Sequence, residues 1–110
     1  MSEIKYKRIM LKVSGEALAG PAHRGLDFDV INSVCAAIKE CVDMGVQVGL
    51  MVGAGNFWRG VKDGADKMQR SHADAMGMLG TVMNSIAVAD ALEKHGVDAR
   101  VLSAVEMHKF

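Results

Sequence analysis

The stretch IMLKVSGEAL, residues 9–18, decides how the rest of the chain is read. Ile9-Met10-Leu11 is the apolar run of a buried strand, Lys12 interrupts it, and Ser14-Gly15 open a small-residue turn directly afterwards. A lysine in that position has two readings. It snorkels to solvent with its methylene stem along apolar neighbours, or it aims an ammonium at an anion lying across the strand tips. The residues further out have to decide between them.

Working outward, the chain alternates strands and helices. Residues 7–13 form the first predicted strand. Asp27 is placed to cap a helix reaching Met44, with Asp29 in its first turn at the positive end of the dipole. Val30, Ile31, Val34, Ile38, Cys41 and Val42 recur at helical spacing as its buried stripe. Gly45 supplies a left-handed stop. Residues 46–52 are apolar and rich in valine, as in a strand covered on both faces. The turn Gly53-Ala54-Gly55-Asn56 follows, then a looser polar segment over 61–70. A long helical pattern runs from about Ser71 to His95, Gly96 ends it, and residues 99–105 predict a third strand. MGVQVGLMV and HGVDARVLS are two copies of one device: helix end, Gly, Val, strand. Such alternation implies parallel strands joined by right-handed crossovers.

Composition narrows the class. The chain has 110 residues, the size of one domain. Half of the residues are hydrophobic and 24% charged, which is globular rather than disordered. Thirteen basic residues balance thirteen acidic ones, so no general nucleic-acid surface is expected. No apolar run reads as a membrane span and MSEIKYKR lacks the apolar core of a signal peptide, so a cytoplasmic protein without a membrane partner is expected. Cys35 and Cys41 lie on different helix faces and read as small core residues. His23, His72, His95 and His108 share no spacing that suggests a metal site, and none is expected.

In a parallel sheet, ligands bind at the carboxyl ends of strands. Both glycine-bearing turns, Ser14-Gly15 and Gly53 to Asn56, fall at such ends. Glycine lets backbone N–H groups approach an anion closely, and Lys12, with Arg59 beyond the second turn, would supply charge for a phosphate. The spacing is not a Walker A loop. It is also a poor dinucleotide fingerprint, because Trp58 stands where the third glycine belongs. On spacing alone, a phosphate site and a plain tight turn both remain open. Asp74, opening the apolar stretch ADAMGMLGTVMNSIAVADAL, is likewise either a helix-dipole partner or a carboxylate for a sugar hydroxyl. Apolar or small residues occupy nearly every face of that helix, which predicts burial on several sides, including by a second subunit.

KRIMLKVSGEALAG, GVQVGLMVGAGNFWRG and ADAMGMLGTVMNSIAVADALEKHGVDARVLSA, in this order, closely resemble the bacterial uridylate kinases of the amino-acid kinase superfamily. The resemblance implies an α/β parallel-sheet sandwich, incomplete here as a β-α-β-α-β portion, with residues 1–110 as the N-terminal part of the domain. It implies transfer of the ATP γ-phosphoryl group to UMP with Mg2+. Lys12, Val13, Ser14, Gly15, Gly55 and Arg59 fall at ATP-binding positions, Lys12 and Arg59 also at catalytic ones, and Ala54 and Asp74 at UMP-binding ones. Gly20, Pro21, Ala22, His23, Arg24 and Gly25 match a loop tied to activation by GTP. UTP inhibition and a homohexamer built through the 71–95 helix are implied as well.

The chain departs from the family pattern in two places. Ala54 stands where the family has glycine, which is tolerable only at negative φ with the methyl group out of the acceptor's way. Family members also continue well beyond this length, through an adenine pocket and further catalytic groups, so the isolated 110 residues are expected to lack turnover. Two alternatives compete: a superfamily kinase with a carboxylate or carbamate acceptor, and a non-catalytic nucleotide-binding or assembly module.

Overall fold

Two parallel strands carry the architecture of the protein in a computed structural model that describes residues 7–58 and 67–102. Strand β1 (Arg8–Val13) leads into a short helix α1 (Gly15–Ala19) and one 3-10 turn (Gly20–Ala22). Helix α2 (Phe28–Asp43) crosses back to β2 (Gln47–Val52), and the long helix α3 (Arg70–Lys94) follows. The strands pair in parallel through six residues each, from Arg8 opposite Gln47 to Val13 opposite Val52. Their carboxyl ends are therefore level, and the two glycine-bearing turns leave side by side.

The local signals explain most element boundaries. Asp27 caps α2 as expected, its Oδ1 accepting from the N–H of Asp29 at 3.0 Å and of Val30 at 3.3 Å. At the other end Gly45 adopts φ +86°, the Gly45 N–H donates to the Val42 carbonyl and the Val46 N–H to that of Cys41. That pair of bonds is a Schellman motif. The chain repeats it at the end of α3 with Gly96 and Val97.

One face of the sheet is buried. Leu11, Val13, Val48, Leu50 and Val52 pack against a core formed by Leu18, Ile31, Cys35, Ile38, Val88, Ala91, Leu92 and Val97. Cys35 is fully buried, its Sγ 3.8 Å from the Val88 carbonyl, and burial raises its thiol pKa. Cys41 is only half-buried. On the opposite face Met10 and Met51 are exposed.

Three expectations need correction. The segment after Ser14 is helical, because Ser14 caps it: the hydroxyl accepts from the Ala17 N–H at 3.1 Å. The third strand does not form over 99–102, and 103–105 lie outside the described residues. Residues 97–102 instead border an apolar groove of about 670 Å³ whose other wall includes Val48, Leu50 and Val88. Thirdly, α3 is long and apolar enough to span a membrane, with a mean hydropathy of 1.3 over 18 residues. Val82, Val88, Ala91 and Leu92 are buried within the protein, while Met76, Met78, Leu79 and Met83 of the same helix are exposed.

Candidate functional site at the strand tips

Val13 and Val52 end their strands as register partners, and the Gly53 N–H donates to the Val13 carbonyl at 3.0 Å. The two turns then touch. A Cβ built on Gly15 would lie 2.5 Å from Asn56 Oδ1 and 2.6 Å from the Gly55 nitrogen, so only glycine fits there. A Cβ built on Gly53 would lie 3.2 Å from the Gly15 nitrogen. Gly55 faces the Glu16 side chain, which a Cβ would meet at 3.0 Å. The coincidence inferred from spacing is thus a physical contact, made possible by missing side chains.

Beside this contact stand Lys12 and Ser14, both exposed. The alternation of β1 turns Leu11 and Val13 toward the core and Lys12 to the open face. Among the described residues no hydrogen-bond or ion-pair partner occupies the Lys12 ammonium. Arg59 lies outside the described residues, as does the rest of the 59–66 segment.

Ala54 resolves the question its methyl group raises. Among the described non-glycine residues only His23 has a positive φ, so Ala54 is unstrained. Its methyl lies against α3, where Gly80 makes room: a Cβ on Gly80 would sit 2.8 Å from that of Ala54. The turn closes on itself through the Ala54 carbonyl, which accepts from the N–H groups of Phe57 and Trp58, both at 2.9 Å.

Asp74 is exposed on α3. Helix α3 begins at Arg70 and has no acidic residue in its first turn, which removes the dipole-partner reading. Asp74 pairs with Arg70 at 3.1 Å, and both side chains are more than half exposed. Arginine preceding the carboxylate by four residues is the less favourable order in a helix, and an exposed pair of this kind adds little stability. Its neighbour Ala73 does reach the glycine-rich turn, accepting from Trp58 Nε1 at 2.9 Å.

The 20–25 loop joins the same cluster through one backbone and one side-chain hydrogen bond to Asn56. Gly20 and Gly25 take positive φ, as does His23, while Arg24 is exposed. Gly25 is bound at both ends to Asn56: its N–H donates to the Asn56 carbonyl at 3.2 Å, and its carbonyl accepts from Asn56 Nδ2 at 2.7 Å.

Sequence reasoning does not reach Asn84 and Trp58 as structural members of this site. Asn84 is fully buried in α3, and its amide pairs reciprocally with that of Asn56 at 2.7 and 3.0 Å while also donating to the Gly53 carbonyl at 2.7 Å. The one signal is the asparagine within LGTVMNSIAVA, since a polar residue amid an apolar helix must find partners. For metal binding, the described residues contain no group of three histidine, cysteine or carboxylate side chains.

Glycine-mediated contact between the tips of two parallel strands joined through a helix defines an α/β protein whose two turns meet at the carboxyl edge of the sheet. The chain matches the model of the amino acid kinase family over residues 7–109 and belongs to that family. Among solved structures it is similar to UMP kinase from Ureaplasma parvum, with a TM-score of 0.83 and 34% identity over 94% of this chain and 45% of that one. It is also similar to UMP kinase from Bacillus anthracis, with a TM-score of 0.74 and 32% identity over 81% of this chain and 36% of that one. The chain therefore spans less than half the length of either structure.

Proposed function

We propose that these residues form the phosphate-binding side of a UMP kinase site, which transfers the γ-phosphoryl group of ATP to UMP. The observation that carries this reading is the contact of Gly15 with Gly55 and Asn56 beside the exposed Lys12. In phosphoryl transfer the protein mainly positions groups and stabilises charge. Lys12 would neutralise charge on the transferring group. The backbone at Val13, Ser14, Gly15 and Gly55 would hold ATP oxygens, with Arg59 as a second cation. Ala54 and Asp74 would contact UMP. Mg2+ would be held by nucleotide phosphates and water, as is common for this ion. The GTP-responsive role of Gly20 to Gly25, inhibition by UTP and a cytoplasmic location belong to the same proposal.

UDP formation in a coupled assay, on the longest protein that contains this chain, tests it. Lys12→Met should lower kcat by about two orders of magnitude. Asp74→Asn should raise the KM for UMP far more than that for ATP. The isolated 110 residues should form no UDP. Near-normal turnover of the Lys12 variant would return that lysine to a snorkelling role. Equal effects of the Asp74 variant on both substrates would remove its acceptor role.

A homo-oligomer, hexameric by the same reading, would form through α3. Met76, Leu79 and Met83 are 40–52% exposed on that helix, an apolar patch of the kind interfaces cover. Val82, by contrast, is buried within the protein. Met83→Asp should therefore shift sedimentation toward smaller species while the fold survives. An unchanged sedimentation coefficient would place the interface elsewhere.

A further inference from the structure

Ala73, Gly77, Gly80 and Asn84 recur at helical spacing along one face of α3, and each meets the turn that follows β2. The Ala73 carbonyl accepts from the Trp58 indole. A Cβ on Gly77 would touch Trp58 Cδ1 at 3.9 Å, and Gly80 receives the Ala54 methyl. Asn84 closes the row on Gly53 and Asn56. We propose that this row is a template that sets where the Gly53–Trp58 turn stands along α3, and that Asn84 is the positioning residue that fixes its register.

The hydrogen bonds account for why an asparagine is used. The carbonyls of Gly53 and Gly25 can only accept, so they determine which end of each amide is the NH2 group. Both protons of Asn84 Nδ2 are then spent, on Gly53 and on Asn56 Oδ1. Both protons of Asn56 Nδ2 go to Gly25 and Asn84 Oδ1. A core position needing only volume would favour an apolar side chain, because each buried polar group must recover its lost hydration. Here the amide pair joins three segments at one buried point, where the 20–25 loop, the turn and α3 meet. The small residues at 77 and 80 bring the backbones close, and the directional bonds of the amide pair, with that of the Trp58 indole to Ala73, choose the register. The inference rests on the kinase reading for its consequence. The turn would carry donor phosphates and the helix would carry Asp74, so the template would set the spacing between donor and acceptor.

Asn84→Asp tests this with a readout that packing alone would not move. A carboxylate at that position would face two acceptor oxygens, those of Gly53 and Asn56, which raises its pKa. At neutral to alkaline pH the pair should open, and the emission of Trp58, the chain's single tryptophan, should shift to the red. On acidification the protonated group can donate again, and the emission should return. ATP affinity relative to the unaltered protein should follow the same profile, with a loss of roughly tenfold when the pair is open.

If this variant does not fold, Gly80→Ala decides. Helix propensity alone predicts that it stabilises, whereas the template predicts displacement of the turn, and Ala54→Gly added to it should restore the emission. Unshifted emission in Asn84→Asp across the pH range, or no rescue by Ala54→Gly, would overturn the template. A shifted emission with both substrate affinities unchanged would overturn the positioning role. Absence of UDP formation by the unaltered enzyme would instead overturn the kinase reading, because the emission arm does not depend on turnover.

Discussion

Met44-Gly45-Val46 and His95-Gly96-Val97 leave their helices through the same hydrogen bonds. In each, the glycine N–H and the valine N–H return to carbonyls of the last turn, the glycine φ is +86° or +81°, and the valine is 8% exposed. Beyond the valines the two exits diverge. The first continues as β2, paired with β1 over six residues. The second continues through Asp98-Ala99-Arg100 without a ladder, and Leu102 is 91% exposed. The difference separates two kinds of information. A helix stop is local, written in one glycine and one apolar residue. A strand depends on a partner edge, and among the described residues the second segment has none.

The strongest way to break the comparison is a charge at the anchoring valines. If both exits are held by burial of the residue after glycine, Val46→Asp and Val97→Asp should each cost about 3 kcal/mol or more in chemical denaturation, because an unpaired carboxylate would be buried. Val97 belongs to the main core cluster although among the described residues no strand follows it. A well-tolerated Val97→Asp would mean that the second exit is only a chain end touching the core.

How much is legible in the residues divides along the same line. Asp27, Gly45 and Gly96 announce their caps, and the parallel pairing comes from strand-helix-strand alternation. The contact of the two turns is legible because both have to fall at carboxyl ends. The third strand is not, because β-branched residues report a preference for a half-buried surface and say nothing of a neighbour. Helix α1 hides behind Ser14-Gly15, a pair that reads as a turn although serine is also a helix cap. The Asn56–Asn84 pair is out of reach of periodicity. Two residues 28 apart, each unremarkable alone, become a unit only when the fold brings them together. Arg59, the second expected cation, lies outside the described residues.

A smaller effect sharpens the claim that the two caps are equivalent. A Cβ on Gly45 or Gly96 would meet nothing within 4 Å, so substitution tests backbone conformation without steric interference. Gly45→Ala and Gly96→Ala should each lower stability by about 1 kcal/mol, the cost of a left-handed conformation for a residue with a side chain. The two losses should agree closely in urea titrations, and asparagine at either position should lose less. A clear inequality would show that the segment after each cap, paired in one case and unpaired in the other, feeds back on the cap itself.

The smallest expected effect bears on the divergence itself. Arg100 is exposed and lies in the segment that fails to pair. Arg100→Thr raises β-propensity at that position, and in a paired strand such a change is worth up to about 1 kcal/mol through contacts with cross-strand neighbours. If the segment lacks a strand because it lacks an edge, those contacts do not exist, and the change in stability should stay within about 0.5 kcal/mol, as for an ordinary surface substitution. Amide hydrogen exchange gives the matching readout. The amides of 98–102 should exchange near the rate of an open chain, while those of Gln47–Val52 that bond to β1 should be protected. Stabilisation by Arg100→Thr approaching 1 kcal/mol, together with new protection at 98–102, would mean that the segment finds a partner strand in solution, through β2 or a second copy of the chain, and that composition rather than a missing edge keeps the second exit from repeating the first.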